Sequence, residues 1–158
     1  MQKITPFLWF DDQAEEAAAL YVSLFEDAEI TEATRYPEGA PGEPGAVMTV
    51  AFRLAGQEFT ALNGGPQFPF TEAVSFSVRC RDQDEVDRLW TQLIDGGGEE
   101  SQCGWLKDRF GLSWQIVPDR LNELLADPDP ARAQAAMQAM LQMSKIEIKV
   151  LEDAADAA

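Results

Sequence analysis

Residues 12–28 read DQAEEAAALYVSLFEDA, and residues 82–97 repeat the pattern as DQDEVDRLWTQLIDGG. Each segment opens with Asp-x-x-Glu, in which the aspartate caps a helix and the glutamate reaches back to the cap. Apolar residues then recur at helical spacing, which predicts two amphipathic helices at equivalent places in a repeat. These residues are Ala17, Leu20, Tyr21, Leu24 and Phe25 in the first helix, and Val86, Leu89, Trp90, Leu93 and Ile94 in the second.

The segments on either side of the two helices repeat as well. Residues 4–9, ITPFLW, precede the first helix as residues 74–79, VSFSVR, precede the second, and GQEFTAL at 56–62 aligns with GLSWQIV at 111–117. Such alternation is typical of strands with one buried face. The repeat therefore predicts an α+β fold of two tandem βαβββ modules, residues 1–65 and 72–118. A helical C-terminal extension follows over residues 119–158, and all three parts are expected to form one compact domain.

The extension has no counterpart in the repeat. Its pattern predicts a short helix over 121–126, then a second helix that begins at Pro130 and ends near Met143. Alternation in Ile146–Val150 predicts an edge strand or a less regular tail, and Glu152–Ala158 is expected to fray. The second helix carries a methionine-bearing apolar stripe, which is interpreted as core packing or as the cover of a subunit interface.

The charge balance limits the partners of the protein. Twelve Lys and Arg residues against 28 Asp and Glu give a net charge of −16, which argues against nucleic acid and anionic membranes. No run approaches the ~20 apolar residues of a membrane span, and the N-terminal residues lack the pattern of a signal peptide. Two cysteines are too few for a disulfide framework, so we expect a cytoplasmic location.

The chain contains no histidine. A Ser-His-Asp or Cys-His catalytic arrangement is therefore excluded. A transition metal would need carboxylate, amide or thiolate ligands alone, which is an uncommon set.

Five segments together resemble a known family. They are ITPFLWFDDQAEEAAALYVSLF at 4–25, RYPEGAPGEPGAVMTV at 35–50, FTALNGGPQF at 59–68, AVSFSV at 73–78 and GGGEESQCGWLKDRFGLSWQIVP at 96–118. They resemble the PhnB-like family, often labelled 3-demethylubiquinone-9 3-methyltransferase, within the vicinal oxygen chelate superfamily. This superfamily includes glyoxalases, dioxygenases and bleomycin resistance proteins. Both strand–helix junctions here lack the glycine-rich turn of a typical methyltransferase, so we expect that the label does not describe the activity.

The resemblance implies a cup of curved sheet that in relatives holds a divalent metal. Its usual ligand positions fall at or near Thr5 and Thr60 in the first module, and at Ser75 and Gln115 in the second. None of these side chains is anionic, so we expect no metal and no cofactor. Glu58 is two residues from Thr60 and leaves a substituted carboxylate site as an alternative.

Strand alternation predicts the lining of the cup. Phe7, Trp9, Ser77 and Arg79 would face inward with the four positions above, as would Leu62, Ser113 and Val117 on the closing strands. Cys103 would lie near the mouth, with Trp105 as an aromatic neighbour. The candidate ligand-binding residues are therefore Thr5, Phe7, Trp9, Thr60, Ser75, Cys103, Trp105 and Gln115. Aromatic and hydroxyl groups with few charges favour a small organic molecule over a bare ion.

Three functions remain open. The leading hypothesis is metal-free binding of a small organic molecule, as in resistance or sequestration proteins. The alternatives are a metal-dependent lyase, isomerase or dioxygenase, and a structural dimer whose cavity is filled by its own side chains. The resemblance also implies a homodimer. Lys107, Asp108 and Arg109 are interpreted as a solvated surface cluster of mixed charge.

Overall fold

A computed structural model describes residues 2–158 of the chain. The chain divides into two compact units, one ending at Phe70 and the other spanning Thr71–Ala158. Each unit is built around one four-stranded mixed sheet. Within residues 2–158, no helix is both long and apolar enough to cross a bilayer.

The first unit contains one βαβββ module. Its elements are β1 (Phe7–Phe10), α1 (Ala14–Leu24), β2 (Glu29–Arg35), β3 (Val47–Leu54) and β4 (Gln57–Asn63). The sheet order is β1-β4-β3-β2, with β1 parallel to β4 and the other neighbours antiparallel. Ala55 and Gly56 both have positive φ, as the tight hairpin between β3 and β4 requires.

The second unit repeats this order and adds three helices. Its elements are β5 (Ser75–Cys80), α2 (Gln83–Ile94), β6 (Glu99–Glu100), β7 (Trp105–Lys107), β8 (Ser113–Pro118), α3 (Asp119–Leu125), α4 (Pro130–Leu141) and α5 (Ile148–Asp156). The sheet order is β5-β8-β7-β6, and β5 runs parallel to β8 as β1 does to β4. The predicted tandem modules and helical extension are therefore confirmed.

The helical stripe of each module forms the core of its unit. In the first unit Tyr21 of α1 is buried beside Phe52, whose ring stacks on Phe59 at 5.5 Å between centroids. In the second unit Leu89 and Trp90 of α2 are buried in the same way. One face of each sheet is therefore covered by α1 or α2, and the opposite face, which these two helices leave uncovered, is its open face.

The two predicted capping boxes have different outcomes. Asp82 caps α2 by accepting a hydrogen bond from the Glu85 amide at 2.9 Å. Asp12 does not cap α1, which begins later, after Gln13. The Ala14 amide instead donates to Asn63 Oδ1 at 2.8 Å, so a side chain distant in sequence satisfies this helix end.

The last part of the extension differs from its prediction. Residues 148–156 form the helix α5, where the sequence pattern favoured an edge strand or tail and then a frayed end. Leu151 and Ala155 lie four residues apart on one face and are fully buried. They pack with Leu121, Leu124 and Ile146 in a small core of the extension. Five alternating residues fit a strand or a helix equally well, and burial of the Leu151 face decides for the helix.

Candidate functional site

The open face of the second sheet carries the residues that alternation placed there. Alternate residues of β5 lie along this face and pair in register with residues of β8. The pairs are Ser75 with Ser113, Ser77 with Gln115, and Arg79 with Val117. On β7, Trp105 pairs with Gln115. The intervening residue Trp114 is buried on the helix side, against the edge of the Phe76 ring.

A concavity of about 310 Å³ lies on this open face. The sheet and its loops contribute one side and the C-terminal extension contributes the other. The lining residues are Ser77, Arg79, Cys103, Trp105, Gln115 and Val117 from the module, and Leu121, Asn122 and Met140 from the extension. The site therefore combines an aromatic ring, aliphatic groups, two amides and one cation.

Gln115 is held in place inside this concavity. Its Nε2 donates to Ser75 Oγ at 2.9 Å, which joins two of the predicted site residues across neighbouring strands. With Trp105 as the register partner of Gln115 on β7, three of the predicted residues are adjacent. A fixed amide beside an aromatic ring can orient a polar group on an apolar ligand.

Arg79 stands at the edge of the same concavity. Its Nε donates to Asp119 Oδ1 at 3.0 Å, and its side chain is 80% exposed. Asp119 is the first residue of α3. The extension therefore supplies the carboxylate that orients the guanidinium.

Backbone hydrogen bonds fasten the extension to the module beside Cys103. The amides of Cys103 and Gly104 donate to the carbonyls of Met143 and Ser144, both at 2.8 Å. Cys103 and Gly104 have φ values of 58° and 86°, so both residues are in the left-handed region while their amides bind the extension. The side chain of Gln83 adds two further hydrogen bonds, to the Ile146 carbonyl and from the Ile148 amide. The extension wall is thereby held at a defined distance from the sheet.

The two cysteines differ in exposure. Cys80 is fully buried, and this burial, with smaller effects of Glu85 and Asp119, raises the pKa of its thiol to about 12. Cys103 is half-buried and lines the concavity. Lys107, the basic residue nearest to Cys103 in the sequence, pairs with Glu72, and this hydrogen bond raises the pKa of Lys107.

We expect iodoacetamide at about pH 8 to alkylate Cys103 in the native protein and to leave Cys80 unmodified, because the thiolate is the reactive species. Peptide mass spectrometry measures both sites, and protein unfolded in urea serves as the control that labels both. Equal labelling of the two cysteines in native protein would contradict the expectation.

The raised pKa of Cys80 also affects stability. Its contribution to the stability of the fold is complete at pH values below 9.0, the ordinary pKa of the thiol, and is lost as the pH rises toward 12.

The predicted residues of the first module lie on the open face of its own sheet. Phe7 and Thr60 are register partners on β1 and β4, and Thr5 precedes β1 without belonging to it. Trp9 donates from Nε1 to the Gly65 carbonyl at 2.8 Å and meets the Phe68 ring edge-on. The segment that follows β4 therefore packs against the Trp9 ring and binds its Nε1.

A second, wider groove of about 600 Å³ lies elsewhere on the first unit. Its lining includes four carboxylates, from Asp11, Asp12, Glu15 and Glu43, together with Arg35. Sequence analysis did not predict this groove. None of the predicted site residues is among its lining.

The superfamily's metal does not fit the positions that correspond to its ligands. Thr5, Thr60, Ser75 and Gln115 offer neutral hydroxyls and one amide, and Ser75 and Gln115 hydrogen-bond to each other. Neutral oxygens compensate poorly for the dehydration of a divalent cation. Glu58, the alternative ligand, is exposed and is the register partner of Arg53. In the part of the chain from residue 2 onward, no three His, Cys, Asp or Glu side chains are placed to share a metal ion.

Sequence reasoning missed three lining residues, all in the extension: Leu121, Asn122 and Met140. The methionine stripe of α4 was the available signal, and it was interpreted as core or subunit interface. The residues of that stripe have three different environments: Ala136 is buried in the core, Met140 lines the concavity and Leu141 is exposed.

Comparisons with known proteins place the chain in context. The family described as 3-demethylubiquinone-9 3-methyltransferase matches residues 2–117. The solved PhnB protein of Bacillus cereus is 38% identical, with a TM-score of 0.68, over 74% of this chain and 99% of that one. Protein PA1353 from Pseudomonas aeruginosa is 23% identical, with a TM-score of 0.57, over 75% of this chain and 98% of that one.

A more distant structure shows the same fold. The fosfomycin resistance protein FosX of Listeria monocytogenes is 15% identical, with a TM-score of 0.50, over 75% of this chain and 93% of that one. No curated protein matches the chain. The family match ends at residue 117, so the extension that forms one wall of the concavity lies outside it.

Proposed function

Because the chain belongs to the PhnB-like family described as 3-demethylubiquinone-9 3-methyltransferase, and has the glyoxalase/bleomycin resistance fold, we propose that it binds a small organic molecule without a metal. The site of binding is the concavity on the second sheet. The proposed role of the protein is resistance or sequestration. The main support for this proposal is the lining of the concavity, in which Trp105, Gln115 and Met140 provide aromatic, hydrogen-bonding and aliphatic surface.

A metal-dependent lyase, isomerase or dioxygenase is less well supported by the donor set. The positions that correspond to metal ligands carry only neutral groups, and Glu58 alone adds a carboxylate. Titration with nickel, manganese and zinc tests this alternative by calorimetry. Stoichiometric binding that is lost in Glu58→Ala would favour the enzyme over the proposed function.

Methyl transfer is also poorly supported by the two strand–helix junctions. A typical methyltransferase holds its cofactor at a glycine-rich turn before a helix. Here Asp82 Oδ1 accepts a hydrogen bond from the Glu85 amide at the start of α2, and Asn63 Oδ1 accepts one from the Ala14 amide at the start of α1. Protein oxygens thus use the donors that a cofactor would need at these helix ends.

The proposed function is tested by a thermal-shift screen of aromatic metabolites and antibiotics. A ligand that binds only the folded state raises the melting temperature. The same ligand should slow the alkylation of Cys103, because that thiol lines the concavity. We expect Trp105→Ala and Gln115→Ala each to weaken binding at least about tenfold, through lost stacking and a lost hydrogen bond.

Gln138→Ala is the matched control, since Gln138 is exposed on α4 and does not line the concavity. A ligand that stabilises wild type and Trp105→Ala equally would place binding elsewhere. The proposal is wrong if no compound protects Cys103 or raises the melting temperature. The homodimer and the cytoplasmic location stay predictions; light scattering measures the former.

A further inference from the structure

We infer that this concavity selects small organic anions, in particular carboxylates with an aromatic or other apolar body. The inference rests on the proposed function and specifies the ligand class for the same site. Arg79 is the one charged residue in the lining, and the lining contains no carboxylate. Asp119 lies outside this lining and offsets the charge of Arg79, so the attraction for an anion rests on the guanidinium nitrogens that Asp119 leaves unbonded.

The orientation of Arg79 suits an anion. Its Nε is bound to Asp119, which fixes the guanidinium plane relative to α3. Within residues 2–158, its two terminal nitrogens form no hydrogen bond or ion pair with the protein. A guanidinium binds a carboxylate through parallel N–H donors, so these two nitrogens present the geometry that a carboxylate needs.

The rest of the lining suits an apolar body attached to that carboxylate. The Trp105 ring, Val117 and Met140 supply aromatic and aliphatic surface. A cavity of about 150 Å³ is enough to hold benzene. The volume of 310 Å³ therefore accommodates a monocyclic acid with substituents.

The groove on the first unit provides an internal contrast. It is wider, but Asp11, Asp12, Glu15 and Glu43 in its lining oppose an anion. Charged groups more than about 8 Å away are largely screened at physiological salt. Local lining, rather than the net charge of the protein, therefore determines which ligand charge each surface accepts.

Three probes of nearly equal shape test the inference: benzoate, benzamide and benzylamine. Their dissociation constants, on the order of 1 mM for probes of this size, are measured by NMR titration at about 0.15 M salt. We expect benzoate to bind about fivefold more tightly than benzamide, and benzylamine to bind least tightly, because Arg79 is exposed and an exposed ion pair contributes modestly. In Arg79→Gln we expect benzoate to lose about fivefold in affinity and benzamide to change less than about twofold.

Arg79→Lys and Arg81→Gln complete the design. Lysine keeps the charge but not the paired donors, so benzoate should retain an intermediate affinity. Arg81 is similarly exposed and pairs with Asp82 and Glu85 outside the concavity, so Arg81→Gln removes the same charge and should leave benzoate binding unchanged. Circular dichroism of each variant confirms that it is folded.

Three results would overturn the inference. If benzamide binds as tightly as benzoate, or Arg79→Gln leaves the benzoate affinity unchanged, anion selection is wrong while small-molecule binding stands. If none of the three probes binds up to about 20 mM, the inference is also wrong. The independent thermal-shift screen then shows whether the proposed function fails with it.

Discussion

Replacing Asp108 by alanine should lower the free energy of unfolding by about 4 kcal/mol, a large share of the stability of a small domain. The side chain is only 2% exposed. Its Oδ1 accepts from the amides of Phe110 and Leu112, and its Oδ2 accepts from Trp114 Nε1 at 2.9 Å. Alanine leaves all three donors without this acceptor in a buried turn, and each costs about 1–3 kcal/mol.

Asparagine at the same position separates charge from geometry. Its amide keeps one acceptor oxygen but turns an NH₂ group toward a donor on the other side. We expect Asp108→Asn to cost about 2 kcal/mol, less than alanine. Urea unfolding followed by tryptophan fluorescence and circular dichroism measures both variants.

Asp153→Ala is the control for this prediction. Asp153 forms an exposed pair with Lys149 on α5, and its loss should cost less than about 0.5 kcal/mol. A cost for Asp108→Ala within about 1 kcal/mol of this control would show that the turn does not depend on the buried carboxylate.

The sequence pattern predicted a solvated surface cluster at residues 107–109. This prediction is wrong for Asp108, which is buried and accepts three hydrogen bonds inside the protein.

Gly98→Ala should destabilise the protein by about 3 kcal/mol through a clash with backbone. A Cβ at Gly98 would lie 2.6 Å from the Lys107 carbonyl oxygen and 2.6 Å from the Ile94 Cα. Both are main-chain atoms, so no side chain can rotate to make room. The turn would have to move, which disturbs the end of α2 and the pairing of Glu99 with Lys107.

Gly96→Ala is the matched control in the same turn. There the nearest neighbour of a Cβ is the flexible Arg109 side chain at 3.0 Å, although φ is +81°. Backbone strain should then cost about 1 kcal/mol. Thermal unfolding of both variants compares the two costs, and a Gly98→Ala protein as stable as Gly96→Ala would rule out the proposed clash.

The repeat accounts for what could be predicted about the fold. Two amphipathic helices in one register, each between alternating strands, leave few ways to bury both sets of apolar residues. The same alternation placed Ser75 and Gln115 on one sheet face, where they hydrogen-bond. Local periodicity carries this information because side-chain direction follows from position along a helix or strand.

Other features depend on residues far apart in the chain. Asn63 caps α1 across 49 residues, which no local capping pattern indicates. The choice of helix over strand in α5 depends on the burial of Leu151 against α3 and α4 residues. In both cases a local pattern allows two structures, and a distant contact selects between them.

The sequence by itself determined the doubled βαβββ order, the family, and the absence of histidine chemistry. Only the tertiary structure decided which surface is concave and what lines it. Leu121, Asn122 and Met140 reach the sheet because the amides of Cys103 and Gly104 hold the extension there. Sequence periodicity reports the face on which a side chain lies, and the lining of a cavity depends on which faces are brought together in three dimensions.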